Sequence, residues 1–305
     1  MTATAPLPAS RVTRERRKTS QVTVRNIRVG GDAPIAVQTM VKVPTTDYDA
    51  VMRDIEASMT IYPEDLPERE QNILKEIQCW DDACELAPFH CDITRVSVPD
   101  EDSAGTFTRI VQNSPIPIVS DIHFRPPMAL AALEAGTDKL RINPGNIRDP
   151  KLLRRIAREA MDRKTPIRVG VNAGSLDKDL LDRYGNHSAE ALALSASNSV
   201  RLMEEEGVTD IVVSLKANDA RWTVDAYRLF AEKSTYPLHL GVTEAGCGRA
   251  AVVHSWAGLG TLLQMGIGDT IRMSLTEDSR LEVVVGHLLL HYLGLPRYTR
   301  PGGPA

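Results

Sequence analysis

The stretch "KLRINPGNI", residues 139–147, decides the fold. Its front half sets apolar Leu140 and Ile142 against polar Arg141 and Asn143, the two-residue period of a β-strand. Pro144-Gly145 then ends it. A strand that carries a guanidinium and a carboxamide to its C-terminal end is unusual unless neighbouring strands do the same. Seven further segments do so or fit the same rhythm: "IAVQTM" (35–40), "DITRVSV" (92–98), "IPIVSDIHF" (116–124), "PIRVGVNAG" (166–174), "DIVVSLKA" (210–217), "LHLGVTEAG" (238–246) and "GDTIRMSLT" (268–276). Helical patterns stand between them, such as "PKLLRRIAREAMDR" (150–163), and "LEVVVGHLLLHYLGL" (281–295) follows the eighth.

Eight strand–helix units predict an α/β fold, the TIM (β/α)8 barrel. An open doubly wound sheet is the rival, but it rarely uses eight evenly spaced units, and no Gly-x-Gly-x-x-Gly follows the first strand. Ahead of the barrel, "QVTVRNIRVGG" (21–31) reads as an N-terminal β-hairpin turning at Arg25-Asn26. Residues 1–18 read as a flexible basic tail, and 19–300 as the barrel. From Asp47 to Arg95 the chain takes nearly twice the length one helix requires, which predicts a helical insertion after strand 1, at about 56–90.

The totals narrow the function. The chain has 305 residues and a formal net charge of −4, yet residues 54–92 hold eleven acids against two bases, so the rest carries about +5. An acidic insertion of this kind is usually a solvated face, with an interaction surface the alternative. No apolar run approaches the roughly 18 residues of a membrane-spanning helix, and four cysteines without regular pairing point to the cytoplasm.

In such barrels the reacting groups gather where the strands end. Strand ends here supply Arg95, Asp121 with His123, Arg141 with Asn143, Arg168 with Asn172, Lys216, Glu244, and Arg272 with Ser274. Five cations face two strand-borne carboxylates, Asp121 and Glu244. The surplus positive charge would be costly in a partly dry cavity. A phosphate-rich small molecule removes that cost, because guanidinium forks match phosphate oxygens. The loops "NPGN" (143–146) and "NAGS" (172–175) add backbone donors, which favours a diphosphate. Charge confined to a barrel mouth argues against nucleic acid.

The motifs "APIAVQTM", "TRVSVP", "DIHF", "LRINPGNI", "PIRVGVNAGSL", "VVSLKAND", "LHLGVTEAG" and "GIGDTIRMSLT" resemble the 4-hydroxy-3-methylbut-2-enyl diphosphate synthase (GcpE) family of the methylerythritol phosphate route to isoprenoids. The resemblance covers roughly residues 16–295 apart from the insertion. It implies a cyclic diphosphate substrate, 2-C-methyl-D-erythritol 2,4-cyclodiphosphate, opened and dehydroxylated with two electrons from flavodoxin or ferredoxin through a [4Fe-4S] cluster. It implies substrate binding by Arg95, Arg141, Asn143, Arg168, Asn172, Lys216, Arg272 and Ser274, with Glu244, His123 and Asp121 as catalytic candidates. In the family the cluster belongs to a C-terminal domain, bound by three cysteines and a glutamate, and a homodimer places it over the partner's barrel. This sequence has no cysteine after Cys247. The expectation is therefore a barrel that binds neither metal nor cofactor itself and takes its cluster from elsewhere, a separate iron–sulfur subunit included. Two alternatives stay open: a non-redox diphosphate-binding barrel, as a pseudoenzyme or regulator, and a pterin- or aldolase-type enzyme using Lys216 and Glu244.

Overall fold

The computed structural model describes residues 15–299 apart from Phe124, Arg148, Asp177, Asn186, His187 and Glu244. Strands β1 (Gln21–Val24) and β2 (Ile27–Gly30) form the expected hairpin, with Val24 opposite Ile27 and Arg25 in the left-handed region at φ 54°. Its apolar side, Val22, Val24 and Val29, packs on Ala36, Ile93, Val119 and Val212, which lie near the starts of four barrel strands. The hairpin thus plugs the N-terminal end of the barrel. Arg25 fastens it there, with its guanidinium 2.8–2.9 Å from both Asp138 oxygens and 2.9 Å from the Ser114 carbonyl.

The barrel strands are β3 (Ala36–Met40), β4 (Ile93–Ser97), β5 (Ile118–Ile122), β6 (Lys139–Ile142), β7 (Ile167–Asn172), β8 (Ile211–Lys216), β9 (His239–Leu240) and β10 (Thr270–Ile271). All pair in parallel, in the order β8-β7-β6-β5-β4-β3-β10-β9. A parallel bridge between Val213 and Leu238 closes the ring. Aspartates at three strand starts fix the register: Asp92 accepts the Val37 N–H at 2.7 Å, Asp138 that of Ile118 at 2.8 Å, and Asp269 that of Leu238 at 2.8 Å. Charge-assisted bonds of this kind are stronger than neutral ones.

The connecting helices start on side-chain caps. Asp47, Asp100, Asp149, Ser188, Asp219 and Asp278 each accept a first-turn N–H, satisfying donors the helix leaves orphaned. Helix Pro150–Asp162 shows how the helices then pack. Its buried residues Leu153, Ile156, Ala157 and Ala160 recur every three or four positions and make one stripe against the barrel.

The insertion is helical, as the length of that connection predicts. A short 3-10 turn (Pro63–Asp65) and helices Glu68–Glu76 and Trp80–Leu86 lie between helix Tyr48–Ala57 and β4. Ile61, Leu66, Ile73, Leu74 and Phe89 join the main hydrophobic core, so the insertion is integral to the barrel. The expected 1–18 tail needs correction at its C-terminal end. Arg16 pairs with the buried Asp269 at 2.8 Å, and Arg17 donates to the partly buried Ser234 and Tyr236 carbonyls, because acceptors at the barrel's underside are within reach of both side chains. Residues 1–14 lie outside the described ones. No helix among the described residues is long and apolar enough to cross a membrane.

Candidate active site

Strand alternation sends every second residue into the barrel. Register then assembles the mouth: Asp121 lies opposite Arg141, Arg141 opposite Arg168, and Asn172 opposite Lys216. At the strands' C-terminal ends a cavity of about 370 Å³ is walled by Arg95, His123, Arg141, Asn172, Lys216, Arg272 and Ser274, with Thr243, Gly246, Leu275 and Thr276 at the rim. Two glycines inside strand segments make room for the cations. A Cβ at Gly170 would stand 2.9 Å from Arg141 Nε, and one at Gly241 would stand 2.8 Å from Lys216 Nζ.

Two carboxylates organise this charge. Asp121, wholly buried, receives Arg141 at 2.8 Å, Arg95 at 3.0 Å and His123 Nε2 at 3.0 Å. Burial works against its charge, but the Arg95 and Arg141 guanidiniums outweigh burial and hold the carboxyl well below its ordinary range. A carboxylate so held is a counter-charge that fixes the two arginines and orients the imidazole. Glu282, equally buried, takes Arg272 through Nε at 3.0 Å and Nη2 at 2.9 Å, with Lys42 at 2.9 Å and the Thr39 hydroxyl at 2.9 Å. Arg272 keeps Nη1 for Ser274 Oγ, 3.3 Å away on the cavity wall.

The cations still outnumber these carboxylates. Arg95 is pushed down to about 10 by burial, against the pull of Asp121. Lys216 and Arg168 are pushed well below their ordinary values by burial and then by the arginines around them. Neither has an ion-pair partner among the described residues. The mouth therefore presents unbalanced, partly desolvated positive charge, the electrostatic complement of a small polyanion.

The other expected site residues take varied places. Arg168 is buried beneath the cavity wall, with Nε and Nη1 lacking hydrogen-bond partners. Asn143 is engaged between loops: its amide donates to Ser175 Oγ at 2.8 Å and its oxygen accepts from Gly145 N at 3.1 Å. It thereby clasps the 3-10 turns Pro144–Asn146 and Ala173–Ser175, and a Cβ at Gly145 would fall 2.5 Å from the Ser175 carbonyl. Glu244 lies outside the described residues. Counting only strand-borne acids overlooked Glu282 and its partner Lys42. The signal for Glu282 was a lone acid in the apolar run "LEVVVGHLLL" directly after the Arg272 strand.

Comparison with known proteins agrees with this geometry. The GcpE TIM-barrel domain matches residues 73–287. A 4-hydroxy-3-methylbut-2-en-1-yl diphosphate synthase (flavodoxin) of Aquifex aeolicus is 41% identical over 283 residues, which is 93% of this chain and 71% of that protein. The enzyme of the same name from Geobacter sulfurreducens is 44% identical over 91% of this chain and 71% of its own length. The chain belongs to this synthase family.

Among solved structures, the dihydropteroate synthase of Yersinia pestis superposes with a TM-score of 0.52 at 10% identity, covering 90% of this chain and 98% of that one. That of Clostridium difficile, in the presence of pteroic acid, gives 0.51 at 12% identity, covering 85% and 97%. At such identity the likeness is one of fold. For a 4-hydroxy-3-methylbut-2-enyl diphosphate synthase barrel the remaining question is whether these residues could hold the implied cluster. Cys79 and Cys91 are buried, while Cys84 and Cys247 are exposed. The Cys91 thiol is within 3.1 Å of the Ile93 carbonyl, and burial raises its pKa. No three His, Cys, Asp or Glu side chains gather into a metal-holding group among the described residues. A [4Fe-4S] cluster needs several thiolates on one centre, and these residues do not fit it.

Proposed function

We propose that this barrel binds 2-C-methyl-D-erythritol 2,4-cyclodiphosphate by its diphosphate and serves as the substrate-binding part of 4-hydroxy-3-methylbut-2-enyl diphosphate synthase, an oxidoreductase of isoprenoid biosynthesis. The observation that carries the reading is the single cavity walled by Arg95, Arg141, Lys216 and Arg272, with only Asp121 and Glu282 to balance them among the described residues. The Arg95, Arg141 and Arg272 guanidiniums, through the N–H groups that Asp121 and Glu282 do not take, and the Lys216 ammonium neutralise the two phosphoryl groups. Arg168, directly below, strengthens that field. Asn172 and Ser274 supply neutral donors to phosphate oxygens. Asn143 acts here by holding the two turns beside the mouth.

His123 is oriented by Asp121, and its Nδ1 stands 3.3 Å from Arg141 Nη1, so it sits where it can meet a substrate hydroxyl or phosphate edge. Glu244, which follows β9 in the sequence, is assigned to orienting the substrate or moving a proton. The electrons come from flavodoxin or ferredoxin through a [4Fe-4S] cluster held by residues outside these 305, on the same polypeptide or another. The Arg95–Lys216 pocket does the chain's own share: it binds the diphosphate, fixes its orientation and screens its charge. The test is complementation. Mixed with the cluster domain of a relative, the chain should convert the cyclodiphosphate under dithionite. Absence of turnover from a mixture that binds substrate would remove the catalytic assignment and leave a diphosphate-binding barrel.

A further inference from the structure

The acidic insertion has no role in the site as described, yet it contacts the segment directly behind the cavity rim. Gly246, Leu275 and Thr276 form that rim. The two loops they belong to are joined by a Gly246–Leu275 bridge and by the Thr276 N–H, which donates to the Gly246 carbonyl at 3.2 Å. Behind the rim stands Glu277, whose side chain is fully buried. Its Oε1 accepts the Gly248 N–H at 2.7 Å and so ties the loop after β10 to the first residue of helix Gly248–Gln264.

The cation facing Glu277 is Arg69 of the insertion, at 3.1 Å from the same oxygen. The next insertion residue, Glu70, is itself buried and accepts the Asp278 N–H at 3.1 Å. A third tie runs from Arg280 Nη1 to the Asp65 carbonyl at 3.0 Å. On the inner side, Lys42 donates to the Leu275 and Glu277 carbonyls while pairing with Glu282, the carboxylate that holds Arg272. The loop that follows Arg272 and Ser274 is thus held from both sides, and the outer hold comes from residues 65–70.

We propose that the helical insertion is a brace for the cavity rim, with Arg69 and Glu70 as positioning residues that hold Glu277 and Asp278 in place behind the rim that faces the bound diphosphate. The proposal rests on the cyclodiphosphate reading of the cavity. The physical reason is the asymmetry of the Arg69–Glu277 pair. Glu277 is buried and Arg69 is largely exposed, so removing Arg69 strips a buried carboxylate of this cation while disturbing little of the core. Glu277 then gains by moving toward water, and the Gly248 and Thr276 segments move with it.

The experiment uses the full chain, with Arg69→Met and Arg69→Lys. Hydrogen exchange is followed over 245–250 and 274–280, and cyclodiphosphate affinity is measured by calorimetry. Arg69→Met should speed exchange in both segments and weaken binding about tenfold, a change of about 1.4 kcal/mol. Its thermal midpoint should stay close to that of the parent. Arg69→Lys should restore most of both, because an ammonium can still face Glu277. Unchanged exchange in Arg69→Met would overturn the brace, and faster exchange with parental affinity would overturn its positioning role. If the parent chain binds no cyclodiphosphate, the substrate reading falls, and exchange alone still decides the brace.

Discussion

Asp121→Asn is the most revealing perturbation of the site. The substitution preserves shape but removes the charge that faces Arg95 at 3.0 Å, Arg141 at 2.8 Å and His123 at 3.0 Å. All three sit where Arg168, Lys216 and Arg272 already add positive charge, and Asp121 is wholly buried. Breaking a buried ion pair by neutralising one partner costs about 3–5 kcal/mol, since the uncompensated charge remains inside. Urea unfolding of parent and variant at pH 7.5 measures this directly. The pH dependence carries its own sign. In the folded chain the carboxyl lies well below its ordinary 3.8, so its stabilisation is complete above that value and is lost only as pH falls through it and below. The parent–variant difference should therefore be flat from neutral pH to about 5 and shrink below about 4. Inorganic pyrophosphate, acting as a substitute counter-charge, should stabilise the variant, by about 2.7 kcal/mol at a hundredfold excess over its Kd. A variant within about 1 kcal/mol of the parent at pH 7.5, a loss in the range of ordinary single hydrogen bonds, would refute the view that Asp121 anchors the cationic mouth.

Arg141→Ala and Arg272→Ala should each weaken cyclodiphosphate binding by about 1.5–3 kcal/mol while the chain stays folded, as judged by calorimetry beside circular dichroism. Gly241→Ala puts a methyl 2.8 Å from Lys216 Nζ; the flexible lysine tip should give way, so affinity should drop while the unfolding midpoint changes little. His287, buried against the His90 carbonyl at 2.8 Å, is pushed down to about 4 by burial. Unfolding exposes an imidazole that protonates near 6.5, so acid favours the unfolded chain. Stability should fall by about 3 kcal/mol between pH 6.5 and 4 on this account, and the slope in that window should be shallower in His287→Asn.

Much of the barrel was legible because its strands carry two signals at once. The β-branched runs give the element, and an aspartate at the start with a polar residue at the end gives its direction, as in Asp138 before β6 and Asn143 after it. The hairpin was readable from Arg25-Asn26 between alternating valines. The site was legible as far as it is built from strands, which is why Arg95, Arg141, Lys216 and Arg272 could be expected together before any coordinates. Glu282 was not, since its carboxylate comes off a helix whose neighbours are apolar, and only three-dimensional packing turns it toward Arg272. Depth was also hidden. Arg141 and Arg168 share a register position, yet Arg141 reaches the cavity and Arg168 stays beneath it. Arg16 and Arg17 resembled a solvated tail because their acceptors, Asp269 and the carbonyls near 234–236, are some 220–250 residues distant in sequence.

The central claim is that unbalanced cations at one end of a closed barrel bind a doubly phosphorylated small molecule. Calorimetric titration of the chain with 2-C-methyl-D-erythritol 2,4-cyclodiphosphate at several salt concentrations tests it most directly. One molecule should bind per barrel, with affinity that weakens as salt rises and is largely lost in a chain carrying both Arg141→Ala and Arg272→Ala. Absence of binding heat together with an unshifted thermal midpoint in excess ligand, or binding indifferent to both substitutions, would contradict the account.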